Sequence, residues 1–253
     1  MFEISLIPAF KDNYIWLLHE GRRAFVVDPG DAAPVIARLN ADGLDLEGIL
    51  ITHHHADHQG GIAELAARWP VKVYAPASES ITGRTHPLRG GECIEVLGQP
   101  LQVLAVPGHT LGHLAYYAPG ILFCGDTLFG AGCGRLFEGT PEQMSASLAS
   151  IAALPEDTLI YCAHEYTAMN LPFARAVEPD NPAITARINE VAALRAAGLP
   201  SVPSTLAEEK ATNPFLRCQE PAVIAAGLAN FAVDHSKTAI FAALRAWRND
   251  FKA

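Results

Sequence analysis

Residues 48–61, GILITHHHADHQGG, place four histidines and an aspartate within six positions, directly after an apolar run. Imidazole nitrogen and carboxylate oxygen are donors that zinc, iron or manganese accept without thiolate. His53 and His55 are two apart, so in an extended segment at a strand end their side chains leave the same face. Asp57 and His58 follow once the chain turns, which offers a second pair of donors to a neighbouring point. His54 is expected to point away from the first pair and to be structural. This differs from the helical zinc motif, whose two histidines stand four apart on one helix face.

Four donors half-fill two metal sites, and three other apolar runs end in further ones. VLAVPGHTLGH puts His109 after a Pro-Gly turn, ILFCGDTLF ends in Asp126, and TLIYCAHEY ends in His164. One histidine after a strand carries little weight. Four strand ends with ligand chemistry point together to a metal site at one edge of a sheet core.

The elements that must position these residues are legible in the spacing. FEISLIP, YIWLL and AFVVDPG read as consecutive strands, the last closed by Asp28-Pro29-Gly30. APVIARLNADG reads as a helix ending at Gly43. GILIT is a buried strand into the histidine cluster, and GIAELAARW a helix out of it. VKVYAP, CIEVL, LQVLAVPG, LAYYAPG, ILFCGD and TLIYCAHE read as strands, with one helix, EQMSASLASIAAL, before the last. Helices interspersed among more numerous strands predict helix layers packed on sheets. Beyond Tyr166 the texture turns helical in LPFARAV and AITARINEVAALRAAG. A Pro-rich irregular stretch, LPSVPSTLAEEKATNPFLR, is followed by two closing helices. In the last of these, Ile240, Phe241, Leu244, Trp247 and Phe251 form one apolar stripe. The expected division is a metal-binding domain over residues 1–170 and a small helical domain over residues 171–253.

Composition narrows the function. A chain of 253 residues, half hydrophobic and 18% charged, can bury a substantial core. Its net charge of -9 disfavours a nucleic-acid partner. No run suggests a membrane span, and the first residues show no export signal. The five cysteines are scattered without a C-x-x-C pair, as expected of reduced thiols in a cytoplasmic enzyme. No Ser-His-Asp pattern or spare carboxylate pair is present.

The ordered set THHHADH, GHT, GDT and HEY resembles the metallo-β-lactamase superfamily, an α/β fold in which an αββα sandwich holds metals at one edge. Within it, IPAFKDNYIW, LFGAGCGRLFEGT, CAHEYT, NPFLR and LRAWRNDF resemble the hydroxyacylglutathione hydrolase (glyoxalase II) family, whose sandwich is followed by a small C-terminal helical domain. The resemblance implies two divalent metal ions, zinc foremost, with iron or manganese acceptable. It assigns His53, His55 and His109 to one metal, and Asp57, His58 and His164 to the other, with Asp126 bridging. His113 matches a family histidine that hydrogen-bonds nearby structure. The implied reaction is hydrolysis of S-2-hydroxyacylglutathione thioesters, S-D-lactoylglutathione to D-lactate and glutathione, the second step of methylglyoxal detoxification. A hydroxide shared by the metals attacks, oriented by Asp57, and the thiol leaves as a thiolate without a general acid. Family positions for glutathione fall on Arg135, Phe137, Tyr166, Arg245 and Arg248. Phe137 stands where some members have tyrosine, and Arg135 and Arg248 where some have lysine. A monomer is expected. The rival readings are a mono-iron persulfide dioxygenase on the same fold and a non-catalytic, metal-stabilised binding protein.

Overall fold

The computed structural model describes residues 2–252. Its contacts divide the chain into two compact units: one runs to Val106 and includes Thr110–Gly125, and the other comprises Pro107–His109 and everything from Asp126.

The first unit contains a sheet with strand order β1 (Glu3–Ala9), β2 (Asn13–Glu20), β3 (Arg23–Val27), β4 (Asp45–Leu50), β5 (Lys72–Pro76) and β6 (His86–Leu88). β1 to β3 pair antiparallel, and β3 to β6 run parallel. Strand alternation sends Ile15 and Leu17 of β2, Ala24 and Val26 of β3, and Ile49 of β4 to one face. There they pack with Val35, Ile36 and Leu39 of α1 (Ala32–Asp42) and with Ile62 and Leu65 of α3 (Ile62–Arg68). The intervening Trp16, Leu18, Phe25 and Leu50 are buried as well. Both faces are therefore covered, which is why β2 reads as a continuous apolar run rather than an alternating one. Each fully buried side chain of this kind contributes about 1.5–3 kcal/mol.

The second layer of strands in this unit is β7 (Cys93–Val96), β8 (Gln99–Ala105), β9 (Leu114–Ala118) and β10 (Ile121–Gly125), all antiparallel neighbours in order. The two sheets are stitched together by polar groups. The fully buried Tyr116 hydroxyl donates to the Ile51 carbonyl at 2.7 Å, and Leu114 N–H to the Thr52 carbonyl at 2.9 Å.

The second unit holds the hairpin of β11 (Leu128–Phe129) and β12 (Gly132–Cys133), then α4 (Pro141–Ala152) and β13 (Leu159–Cys162), with helices beyond. These helices are α5 (Thr167–Val177), α6 (Pro182–Ala196), α7 (Leu206–Thr212), α8 (Pro221–Ala229) and α9 (Lys237–Asp250). The stripe on α9 is buried as expected: Ile240, Phe241 and Leu244 are inaccessible, while Trp247 and Phe251 meet the Phe173 ring edge-on at 5.1 and 5.3 Å.

One expectation needs correction, and two short features escape the sequence pattern. The stretch expected to be irregular contains β14 (Ser204–Thr205), paired with β13, and α7. The Thr205 hydroxyl caps α7 by accepting from Glu208 N–H at 3.1 Å, and two glutamates in the first turn favour that end of the helix. Flanking prolines conceal this start. The β11–β12 hairpin and β6 are too short to leave a periodic signal.

Candidate active site

β4 runs parallel between β3 and β5, so its carboxyl end opens onto the sheet edge, where His53 follows. Within the first unit the cluster is ordered from below by one buried carboxylate. Asp28, at φ 51°, accepts from Thr52 N–H at 2.8 Å and from the Thr52 hydroxyl at 2.7 Å. Its Oδ2 also lies 3.1 Å from His58 Nδ1. The Thr52 hydroxyl proton is committed to Asp28, so its oxygen accepts from His53 Nδ1 at 3.0 Å. Both rings thus carry their proton on Nδ1 and turn the Nε2 lone pair outward, as a metal ligand requires.

His53 Nε2 stands 3.0 Å from His55 Nδ1, and His58 Nε2 stands 3.5 Å from Asp57 Oδ2. Asp57 opens the short helix α2 (Ala56–Gln59) and accepts from the Asn13 amide at 2.9 Å. A side chain at Gly30 would meet the Asp57 carbonyl at 1.9 Å, so only glycine allows α2 to lie this close. His54 turns away, as expected, to the buried Glu79 carboxylate at 3.0 Å. Glu79 also takes the Thr110 hydroxyl at 2.5 Å and Gly112 N–H at 2.9 Å, tying two loops together. His113 stacks on His53 at 4.6 Å, and its carbonyl accepts from Val106 N–H.

In the second unit the Asp126 carboxylate lies between two imidazoles. Oδ2 is 3.4 Å from His109 Nε2, and Oδ1 is 3.4 Å from His164 Nε2. His109 Nδ1 donates to the Arg135 carbonyl at 2.8 Å, which places its lone pair on Nε2. His164 stacks on Tyr166 at 4.6 Å with the rings 6° from parallel, and Phe129 meets both edge-on. Two donors on a tetrahedral zinc at about 2.1 Å stand about 3.4 Å apart. The separations of 3.0, 3.4, 3.4 and 3.5 Å bracket that value. The donor chemistry fits within each unit: His53, His55, Asp57 and His58 in the first, and His109, Asp126 and His164 in the second, are side chains of the types that a divalent metal accepts.

A cleft of about 340 Å³ opens beside Asp126, entirely within the second unit. Its walls include His109, Asp126, Arg135, Phe137, Tyr166, Arg245 and Arg248. Every residue expected to bind substrate therefore shares one cleft with two expected metal donors. Arg245 is buried, donating from Nη1 to the Cys133 carbonyl at 2.8 Å and from Nη2 to Asn249 at 3.0 Å. Its Nε has no hydrogen-bond partner among the described residues. The half-buried Arg248 donates to Asn170 Oδ1 at 3.2 Å. Burial lowers the Arg248 pKa, and repulsion from Arg245 and Arg135 lowers it further. Phe137 is 63% exposed and stands edge-on to His109 at 5.2 Å. Cys133 also lines the cleft, but burial pushes its thiol up, against the opposing pull of Arg245.

Sequence reasoning did not single out Asp28, Thr52, Asn13, Glu79 or Asn170. Asp28 and Asn13 were in view only as parts of a strand-ending turn and a family segment. A polar residue closing an otherwise apolar strand would have found Asp28 and Thr52, whereas Glu79, in a loop, and Asn170, inside α5, carry no such signal.

The profile of the Metallo-beta-lactamase superfamily matches residues 10–164, so fold and donor set define a protein of that superfamily. The profile described as Hydroxyacylglutathione hydrolase C-terminus matches residues 165–251. A hydroxyacylglutathione hydrolase of Dechloromonas aromatica is 74% identical, over 99% of this chain and all of its own. The chain belongs to the hydroxyacylglutathione hydrolase family, a family of hydrolases. Among solved structures, ETHE1 from Myxococcus xanthus superposes with a TM-score of 0.68 at 25% identity, covering 98% of each chain. TTHA1623 in a di-iron-bound form gives 0.60 at 26% identity, covering 85% of this chain and all of that one. Among the described residues no helix is long and apolar enough to cross a membrane, and the five cysteines form no disulfide.

Proposed function

We propose that the protein hydrolyses S-2-hydroxyacylglutathione thioesters, with S-D-lactoylglutathione the expected substrate in methylglyoxal detoxification. The observation that carries the reading is the cleft in which the His109–Asp126 donor edge shares its walls with three arginines. Asp126 is the only carboxylate on those walls, so the cleft is formally cationic in an otherwise acidic protein. Glutathione, with two carboxylates and one ammonium, suits such a lining. The names of the relatives support the same substrate class.

His53, His55 and His109 would hold one divalent ion, Asp57, His58 and His164 a second, and Asp126 would serve both. Zinc is the metal expected first, with iron or manganese accepted by the same donors, and a di-iron-bound relative supports a binuclear reading. When bound, the ions supply an activated water and polarise the acyl carbonyl. Asp57, whose Oδ2 accepts from the Asn13 amide at 2.9 Å, would accept a hydrogen bond from the attacking water. Tyr166 and the arginines hold the tripeptide, and Phe137 supplies an apolar contact. The leaving thiol has a pKa of about 8.5 and departs as a thiolate, so no general acid is needed. Residues 1–170 would then act as the catalytic domain and residues 171–253 as the substrate-binding domain of a cytoplasmic monomer.

The test is elemental analysis of the purified protein beside hydrolysis of S-D-lactoylglutathione. Asp126→Asn removes the bridging charge and is expected to lower metal content and turnover together. Two metals and full turnover in that variant would refute the bridging role. One iron per chain with oxygen consumption would replace the whole reading by the dioxygenase.

A further inference from the structure

The β11–β12 hairpin supplies Phe129 and Cys133 to the cleft wall, and its Cys133 carbonyl receives Arg245. Asn170 Nδ2, on the cleft wall, donates to the Gly130 carbonyl of the hairpin turn at 3.0 Å, and the rest of the turn is held by residues that do not line the cleft. Asn213, which caps the end of α7, donates from Nδ2 to the carbonyls of Phe129 at 3.2 Å and Gly132 at 2.9 Å. Ala131 N–H donates to Glu209 Oε2 at 2.9 Å, and Asn213 Nδ2 reaches the same oxygen at 3.0 Å. Ala131 has φ 52°, a left-handed conformation that a residue with a side chain disfavours, so the turn must be imposed by these contacts.

The carboxylate that imposes it is itself locked. Glu209 is fully buried, and its Oε1 accepts from Ser204 Oγ at 2.7 Å and from Arg187 Nη2 at 2.5 Å. Arg187 is 2% exposed and also donates to Thr212 at 2.6 Å. A buried ion pair is a weak stabiliser, because desolvation offsets the attraction; its better-attested use is to specify one arrangement. Here the arrangement specified is the backbone of the cleft wall.

We propose that Asn213 and Glu209 are positioning residues for substrate recognition: by imposing the turn of the hairpin they set the Cys133 carbonyl that orients Arg245 and the segment carrying Arg135 and Phe137. This rests on the reading of the cleft as the glutathione-binding site. The hairpin begins two residues after Asp126, yet the clamp grips its far end, so recognition rather than metal binding is the property expected to move.

The experiment compares Asn213→Ala and Glu209→Gln with Arg217→Met as a stability control. Arg217 lies in the same segment, pairs with Glu178 at 2.7 and 2.9 Å and donates to the Lys210 carbonyl at 3.0 Å, with no hydrogen bond to the hairpin among the described residues. Each purified protein is assayed on S-D-lactoylglutathione and on a neutral N-acetylcysteamine thioester of the same acyl group, with metal content and Tm measured in parallel. Asn213→Ala is expected to raise KM for the glutathione thioester about tenfold, with kcat, metal content and the neutral substrate changed less than about threefold. Glu209→Gln keeps the shape but replaces one of two accepting oxygens with an amide donor and leaves Arg187 without its counter-charge, so it is expected to move the same way with a lower Tm; Asn213→Ser, a milder truncation, carries the test if Asn213→Ala does not fold. Arg217→Met is expected to lower Tm without changing the ratio between the two substrates. Equal losses on both substrates, or loss of metal, would overturn the positioning role. If the wild-type protein hydrolyses neither thioester, the functional reading fails and the positioning role falls with it. If it hydrolyses both and the variants keep its substrate ratio, the positioning role alone fails.

Discussion

Arg248→Ala tests the proposed recognition charge apart from the groups proposed for the chemistry. The guanidinium lines the cleft, donates to Asn170 at 3.2 Å and lies 5.9 Å over the Phe173 ring. Burial and two neighbouring arginines lower its pKa, a sign that the site favours an added negative charge. A hydrogen bond between charged groups contributes roughly 1.5–3 kcal/mol. Arg248 is only half-buried, and solvent screening argues for the lower part of that range. A loss of about 1.5–2 kcal/mol corresponds to roughly 10–30-fold in kcat/KM on the glutathione thioester. Arg248→Lys keeps the charge but not the planar contact with Asn170, so its loss is expected to be smaller. The assay is steady-state hydrolysis of S-D-lactoylglutathione and of a thioester lacking the glutathione carboxylates, with metal content measured on each variant. Equal losses on the two substrates would show that Arg248 supports folding through Phe173 and Asn170, and the recognition role would be withdrawn.

Cys133→Ser is expected to keep most activity, because burial holds the thiol protonated and Arg245 uses the residue's carbonyl; an acylated Cys133 competent for turnover, caught by mass spectrometry, would refute the water mechanism. Alkaline stability follows from Cys162 and Cys218, whose thiols burial pushes from 9.0 up to about 12. A raised thiol pKa contributes stability that is complete below the unfolded value and is lost as pH rises toward the folded one. Each thiol then accounts for about 1.4 kcal/mol lost by pH 10, within a total of about 4 kcal/mol by pH 12. Chemical denaturation from pH 8 to 11 should show the decline, and Cys162→Ala should flatten it; an unchanged slope in that variant would refute the assignment.

What the sequence determined by itself is chiefly what repeats or clusters. The strands around His53, Asp126 and His164 were legible because apolar runs of four to eight residues must be buried and turn residues must end them. The candidate metal donors were legible because their chemistry is rare and their spacing is local, as with His53 and His55. The stripe on α9 was legible because five apolar residues at helical spacing have one place to go.

Tertiary structure alone decided what depends on distant partners. Nothing local shows that Asp28 serves Thr52 and His58, 24 and 30 residues away. Arg245 has the spacing of a solvated helix edge, yet it is buried because a carbonyl 112 residues earlier in the chain accepts its proton. α7 was missed because prolines frame a good N-cap, and the hairpin it supports was missed because two-residue strands have no period. Asn213 and Glu209 acquire a role only when folding brings the turn at Ala131 to them, since a hydrogen bond between residues some 80 positions apart leaves no mark on the spacing of either segment.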